Sequence, residues 1–264
     1  MFGEGQSYYE PLNPSVNELE KEAVNAYMAK VFLWMFAGLF ITAITTVAIV
    51  VGINTSYAFV NFINTTMQLW IVVVIAQLAL VYFISRKVLT MHPTTAKLMY
   101  VIYAMSNGLT VGLVAVLIAA QIGGIHVIGV AFGVTAISFG AMAIYGYTTG
   151  KDLTSYSSLL IMGVFGLIIA SIANWFFGSS MLDFVIIVAG LFIFLVLTAV
   201  DTNKIKNHFA RVALGGNSDG TIAEGVSVNQ EALASNLAIV GALMLYLDFI
   251  NIFMFILRLL ARRR

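Results

Sequence analysis

The chain has no cysteine, which excludes disulfides, thiolate catalysis and cysteine-ligated metals. Charge is nearly as scarce: 9% of its 264 residues are Asp, Glu, Lys or Arg, against 61% hydrophobic. A soluble domain does not tolerate that balance, and the apolar runs recur with short gaps, so the chain reads as a polytopic membrane protein. A formal net charge of +1 argues for neither a nucleic-acid partner nor an acidic substrate. Residues 1–22 are polar and acidic, without the basic start and apolar core of a signal peptide. The first span is therefore expected to direct insertion. Gly-x-Gly-Asp does not occur, which argues against aspartyl intramembrane hydrolysis and for a protein that is not an enzyme.

Seven apolar stretches are long enough to cross a bilayer, at about 31–51, 69–85, 98–120, 125–147, 156–177, 181–201 and 237–260. Before the first, a tail over 1–14 gives way to Ser15-Val-Asn-Glu18, which has the form of a capping box. Val16, Leu19, Ala23 and Tyr27 then follow at helical spacing, predicting an interfacial helix that runs into the first span. The chain divides into residues 1–30, a cytoplasmic tail and interfacial helix, and residues 31–264, a seven-span helical domain. The uncharged stretch 52–68 is expected to be a loop, as is the polar segment 202–235. Asn217-Ser-Asp-Gly220 has a superficial likeness to a calcium loop. With Gly220 at the sixth position, however, the first and twelfth are Gly215 and Val226, so calcium binding there is rejected. Gly129 and Gly133 form a small-xxx-small pair that permits close helix approach.

Nine of the thirteen basic residues fall on the side of the N-terminus, and Arg258 and Arg262–Arg264 on the other. The positive-inside rule places the N-terminus in the cytoplasm of a cell inner (plasma) membrane and the C-terminus outside. A re-entrant last segment would leave both termini inside.

Two acids lie at membrane depth. Asp201 closes the sixth span, and Asp248 sits in the middle of the seventh. A charged carboxylate there costs roughly 3 kcal/mol or more, so it faces protein or water rather than lipid. At about 100° per residue, Gly241, Asp248, Asn251 and Phe255 share one side of the last helix, with Arg258 at its margin. The last helix is therefore expected inside a bundle, with this stripe lining a cavity or meeting another helix. If the two carboxylates meet away from water, they share a proton rather than both ionising. The protonated pair is a latch. The deprotonated pair repels and presents oxygens suited to Ca²⁺, though two carboxylates fall well short of the roughly 6–8 oxygens that ion prefers, so passage fits better than storage. Plainer readings stay open. Asp201 and Lys204 can form a snorkelling pair, Asp248 can make a structural hydrogen bond, and Arg86 can be an interfacial anchor. Arg86 can also reach a carboxylate at the same membrane face.

Gly241-Ala-Leu-Met-Leu-Tyr-Leu-Asp-Phe-Ile-Asn-Ile-Phe253 closely resembles the C-terminal signature of the Bax inhibitor-1 family, also called the transmembrane Bax inhibitor motif family. Leu197-Thr-Ala-Val-Asp-Thr-Asn-Lys-Ile205 resembles that family's segment around its first aspartate. Ala26–Met35 and Ser138–Leu153 agree as well, in family order and with the look of the bacterial branch. The resemblance implies an all-α bundle of seven transmembrane helices with the C-terminal helix in the centre, surrounded by the other six. It implies a pH-sensitive calcium leak channel governed by two aspartates, matching Asp201 and Asp248, with Ca²⁺ held there only transiently. Arg86 matches a basic residue that latches onto the pair in some members, and Asn251 is a further candidate for lining the pathway. The partners implied are the bilayer, Ca²⁺ and H⁺, with no cofactor. The sequence departs from the pattern at Val200 and Asn203, where tyrosine and glutamine are usual, at Asn107, where some members carry a glutamate, and in a longer loop before the last span. The competing function is a non-conducting membrane protein that modulates stress responses or other membrane proteins through contacts. On that reading Asp248→Asn leaves the phenotype intact.

Overall fold

The computed structural model describes residues 14–87, 90–122, 124, 126–213 and 230–262. The tail before residue 14, the Asn217–Gly220 segment and the last two arginines lie outside them. Eight helices carry the described chain: α1 Pro14–Thr55, α2 Tyr57–Gln68, α3 Trp70–Lys87, α4 Pro93–Ile122, α5 His126–Thr148, α6 Ser157–Phe177, α7 Ser180–Lys204 and α8 Gln230–Arg262. All but α2 are long and apolar enough to span a membrane, making an all-α seven-span bundle.

Between helices in lipid there is little hydrophobic drive, so close packing and hydrogen bonds hold the bundle. The last helix takes most of both. Of its most apolar stretch 61% is buried, against 39% for α4 and none for α6. It packs on α1, α4, α5 and α7, while α3 rests on α4 and α6 on α7. The last helix is thus central, as expected, but its principal neighbours are four rather than six. The outer two helices face lipid.

Three boundaries differ from the sequence reading. The interfacial helix and first span form one unbroken helix of 42 residues, roughly 63 Å long. The uncharged stretch expected as a loop is mostly α2. Ile63 on one side of α2 is buried against Ile49 and Leu113, while Asn61, Asn64 and Thr65 stay exposed. A short amphipathic helix without charge is indistinguishable from a polar loop until the surface it covers is known. The segment after Asp201 is also helical. Helix α7 continues through a π-turn, Ile205–Phe209, and a further turn, Ala210–Ala213. Of the loop expected over 202–235, residues 202–213 and 230–235 are helical, and 214–229 lie outside the described residues.

Helix α1 locks to α4 through threonines. Thr42 Oγ1 lies 3.0 Å from the carbonyl of Ala104 and 2.7 Å from the hydroxyl of Tyr246. Thr46 donates to the carbonyl of Gly108 at 3.0 Å. These bonds engage carbonyls at the entry to a π-turn, Gly108–Gly112, in the middle of α4. A side chain at Gly112 would overlap Thr46, so glycine sets this close approach. The Gly129/Gly133 pair does no such work, since an added Cβ at either meets nothing within 4 Å. The close contact of α5 is at Gly146 instead, whose Cα faces the backbone of Ala199 on α7.

Candidate functional site

Asp248 sits near the middle of α8, where the chain is most enclosed; 4% of the residue is exposed. Its Oδ2 is buried with no hydrogen-bond partner among the described residues. A native buried polar atom left so requires an explanation. Asp248 feels the charge of Asp201, and Asp201 that of Lys204. The two acids are therefore brought into one electrostatic neighbourhood, with Lys204 beside the outer one.

Two packing contacts fix how α7 and α8 align. Gly241 of α8 lies against Ile205, and Gly190 of α7 lies against the ring of Phe255. The helices run antiparallel, so Asp248 is level with Thr198 and Asp201 lies about one turn, roughly 5 Å, further along. Gly241 and Phe255 belong to the predicted stripe, so it is the α7-facing side of α8 that carries Asp248. Thr198 turns its hydroxyl back to the carbonyl of Phe194 at 2.9 Å and gives Asp248 no bond.

Asp201 is half-buried, and it stands inside a continuing helix rather than at its end. Its backbone carbonyl still accepts from Ile205, bifurcated with that of Thr202 as the π-turn begins. No ion pair within 4 Å reaches either acid among the described residues; those present join Asp183 to Arg258 at 2.6 Å and to Arg262 at 3.6 Å. Asp183 was not singled out from sequence. It lies at the start of α7 and Arg258 near the end of α8, so the antiparallel pairing of these helices brings them together at the far membrane face. Both are over a third exposed, and such pairs hold little energy.

Arg86 is not brought to the carboxylates. It is exposed at the end of α3, with its guanidinium 5.6 Å from the ring centre of Tyr82 on its own helix. Asn251 is half-buried and donates to the carbonyl of Leu247 one turn back at 2.8 Å. Asn107 is buried and bonds the carbonyl of Tyr103 at 3.2 Å. No group of three or more His, Asp or Glu stands ready for a metal among the described residues.

Asn203 turns out to be a structural clamp. It is fully buried and donates to the carbonyls of Gly146 and Lys151, each at 3.2 Å, while its Oδ1 accepts from Leu153 at 3.1 Å. One side chain thus ties α5 and the loop after it to α7, two residues beyond Asp201. Asn203→Ala leaves those backbone groups without a partner, at a cost of about 3 kcal/mol. The thermal midpoint in detergent should fall by roughly 5–10 °C, and an unchanged midpoint would show that the clamp is not needed. Tyr246, two residues before Asp248, is the second residue missed. It is fully buried, bonded to Thr42, and edged by the rings of Tyr100 and Tyr103, each about 6 Å away. It holds α8 to α1 and α4, leaving the opposite side of α8 to face α7.

Comparison with known proteins agrees with this architecture. Residues 24–264 match the family described as "Inhibitor of apoptosis-promoting Bax1". The inner membrane protein YbhL of Escherichia coli K12 is 32% identical over 244 residues, covering 92% of this chain and 94% of its own. An uncharacterized protein of Borreliella burgdorferi is 35% identical over 240 residues, covering 91% and 93%. One of Deinococcus radiodurans is 36% identical over 238 residues, covering 90% and 91%. The chain is a multi-pass membrane protein that belongs to the Bax inhibitor-1 family.

Proposed function

We propose that this protein is a pH-sensitive calcium leak channel, closed when Asp201 and Asp248 share a proton and opened when they lose it. The observation that carries the reading is Asp248 itself: an enclosed carboxylate with an unpartnered oxygen, at the centre of the bundle, within the field of a second carboxylate. Sharing a proton relieves the repulsion between two acids away from water. Losing it restores the repulsion across the α7–α8 contact and exposes oxygens that attract a hard cation. Lys204 is the cation that acts on Asp201.

The N-terminus is placed in the cytoplasm, because the side on which α1 begins carries nine of the thirteen basic residues. Asp201 then sits toward the cytoplasmic end of the path. The test is Ca²⁺ entry into liposomes holding the purified protein, from about pH 5 to 8. Flux above empty liposomes that rises with pH supports the leak. Flux equal to that of empty liposomes at every pH removes it, and leaves the non-conducting modulator.

A further inference from the structure

Helices α1 and α5 both pack on α8 but make no extended contact with each other. Between them runs a groove of about 400 Å³, walled by Met28, Phe32 and Phe36 of α1 and by Phe139, Gly140 and Ala143 of α5, with Phe249 of α8 at its floor. Its only polar lining residues are Asn25 and Tyr147, at one end, where the Tyr147 hydroxyl donates to Asn25. The groove therefore has a polar mouth and an apolar body, and it opens sideways at the depth of the bilayer. From Asn25 to Phe36 it follows roughly 16 Å of helix axis, close to the roughly 15 Å thickness of one leaflet's hydrocarbon.

The mouth is basic. Lys206 donates to the carbonyl of Tyr147 at 2.6 Å and lies 5.0 Å from the centre of its ring. Lys21 lies one helical turn before Asn25, on the same face of α1 as the groove residues, and is exposed. Neither lysine forms an ion pair within 4 Å with a carboxylate whose side chain is described, and Glu18 lies on the same face of α1 one turn before Lys21. Glu22 sits at the margin of that face, and Lys30 points to the other side of the helix.

We propose that this groove is a binding site for one phospholipid with an anionic headgroup. An acyl chain lies against Phe249, and the phosphate lies at the mouth between Lys21 and Lys206. The length of one leaflet selects a lipid tail, and the two lysines select the charge on its head. An occupant here wedges between two helices that otherwise leave the central one open to the membrane. Because Phe249 adjoins Asp248, the tail rests one residue from the enclosed acid.

The test is native mass spectrometry of the full-length protein in detergent. It is incubated with phosphatidylglycerol, with phosphatidylcholine of the same chains, or with oleate. Wild type should retain phosphatidylglycerol over phosphatidylcholine by on the order of tenfold, as two lysines at a membrane surface imply. Joint substitution Lys21→Gln and Lys206→Gln should erase that preference. Gly140→Leu should reduce retention of both phospholipids, because an added Cβ there meets nothing within 4 Å and the side chain grows into the groove. Equal retention of the two phospholipids by wild type, stronger retention of oleate than of either, or undiminished retention by folded Gly140→Leu would each overturn the proposal. The readout does not involve ion flux, so it stands or falls apart from the channel reading.

Discussion

Asp248→Asn should abolish the rise of Ca²⁺ flux with pH and hold it at the low-pH level. The sign follows from which form closes the path. Below the titration the pair carries a shared proton and holds α7 and α8 together. Above it, two negative carboxylates about one turn apart push the helices apart. Asparagine matches the size of the acid and donates a hydrogen bond, as the protonated acid does, but it has no proton to lose in this range. The latch is then closed at every pH. In the wild type a single governing proton changes flux by up to about tenfold per pH unit on the acid side of the midpoint. In the variant the profile is flat. Asp201→Asn should flatten it too, since either half of the pair is needed for the repulsion. Arg86→Gln should leave the profile as it is, because Arg86 lies over Tyr82 rather than at the acids. A pH profile of liposomal flux for the four proteins decides the matter. A steep rise surviving in Asp248→Asn would show that the gate lies elsewhere.

Gly146→Leu should prevent folding or leave only a small folded fraction. At this position α5 touches the backbone of Ala199, not a side chain that can swing away. A Cβ there forces the two helices apart along their whole contact. The same residue's carbonyl is one of the acceptors of Asn203, so separation also breaks the clamp on the following loop. Overpacking against backbone together with a lost buried bond costs about 4 kcal/mol or more, a large part of the 5–15 kcal/mol that holds a typical domain. Gly133→Leu is the matched comparison, since its Cβ would meet open space, and its yield and melting should resemble the wild type. Monodispersity and thermal midpoint after purification in the same detergent distinguish the two. A Gly146→Leu protein as stable as Gly133→Leu would refute the close α5–α7 contact.

The acids and the spans were legible because the membrane makes single residues conspicuous. An aspartate inside a run such as Leu243–Phe253 has no bland solvent-exposed explanation, and the helical stripe around it points at whichever neighbour it meets. That neighbour could be read only as far as the resemblance to a family allowed. Asn203 was noticed as a departure from a family pattern, but its three bonds lead to residues some fifty positions earlier, and nothing in its own surroundings in the chain names them. The glycines show the same limit. Gly129 and Gly133 have the spacing of a helix-packing motif and pack nothing, while Gly146 lies outside the motif and meets the backbone of another helix. Spacing tells which residues share a face. It does not tell what lies opposite. Asp183 and Arg258 were within reach of reasoning, because two antiparallel neighbours bring the start of one helix to the end of the next.

Helix α6 has no buried residue and rests chiefly on α7. The same exposure is useful in a chain that contains no thiol. A cysteine placed at Ile169, which is 68% exposed, is the sole attachment point in the molecule for a fluorophore or spin label. It reports depth and tilt from the lipid side while leaving the enclosed helix untouched.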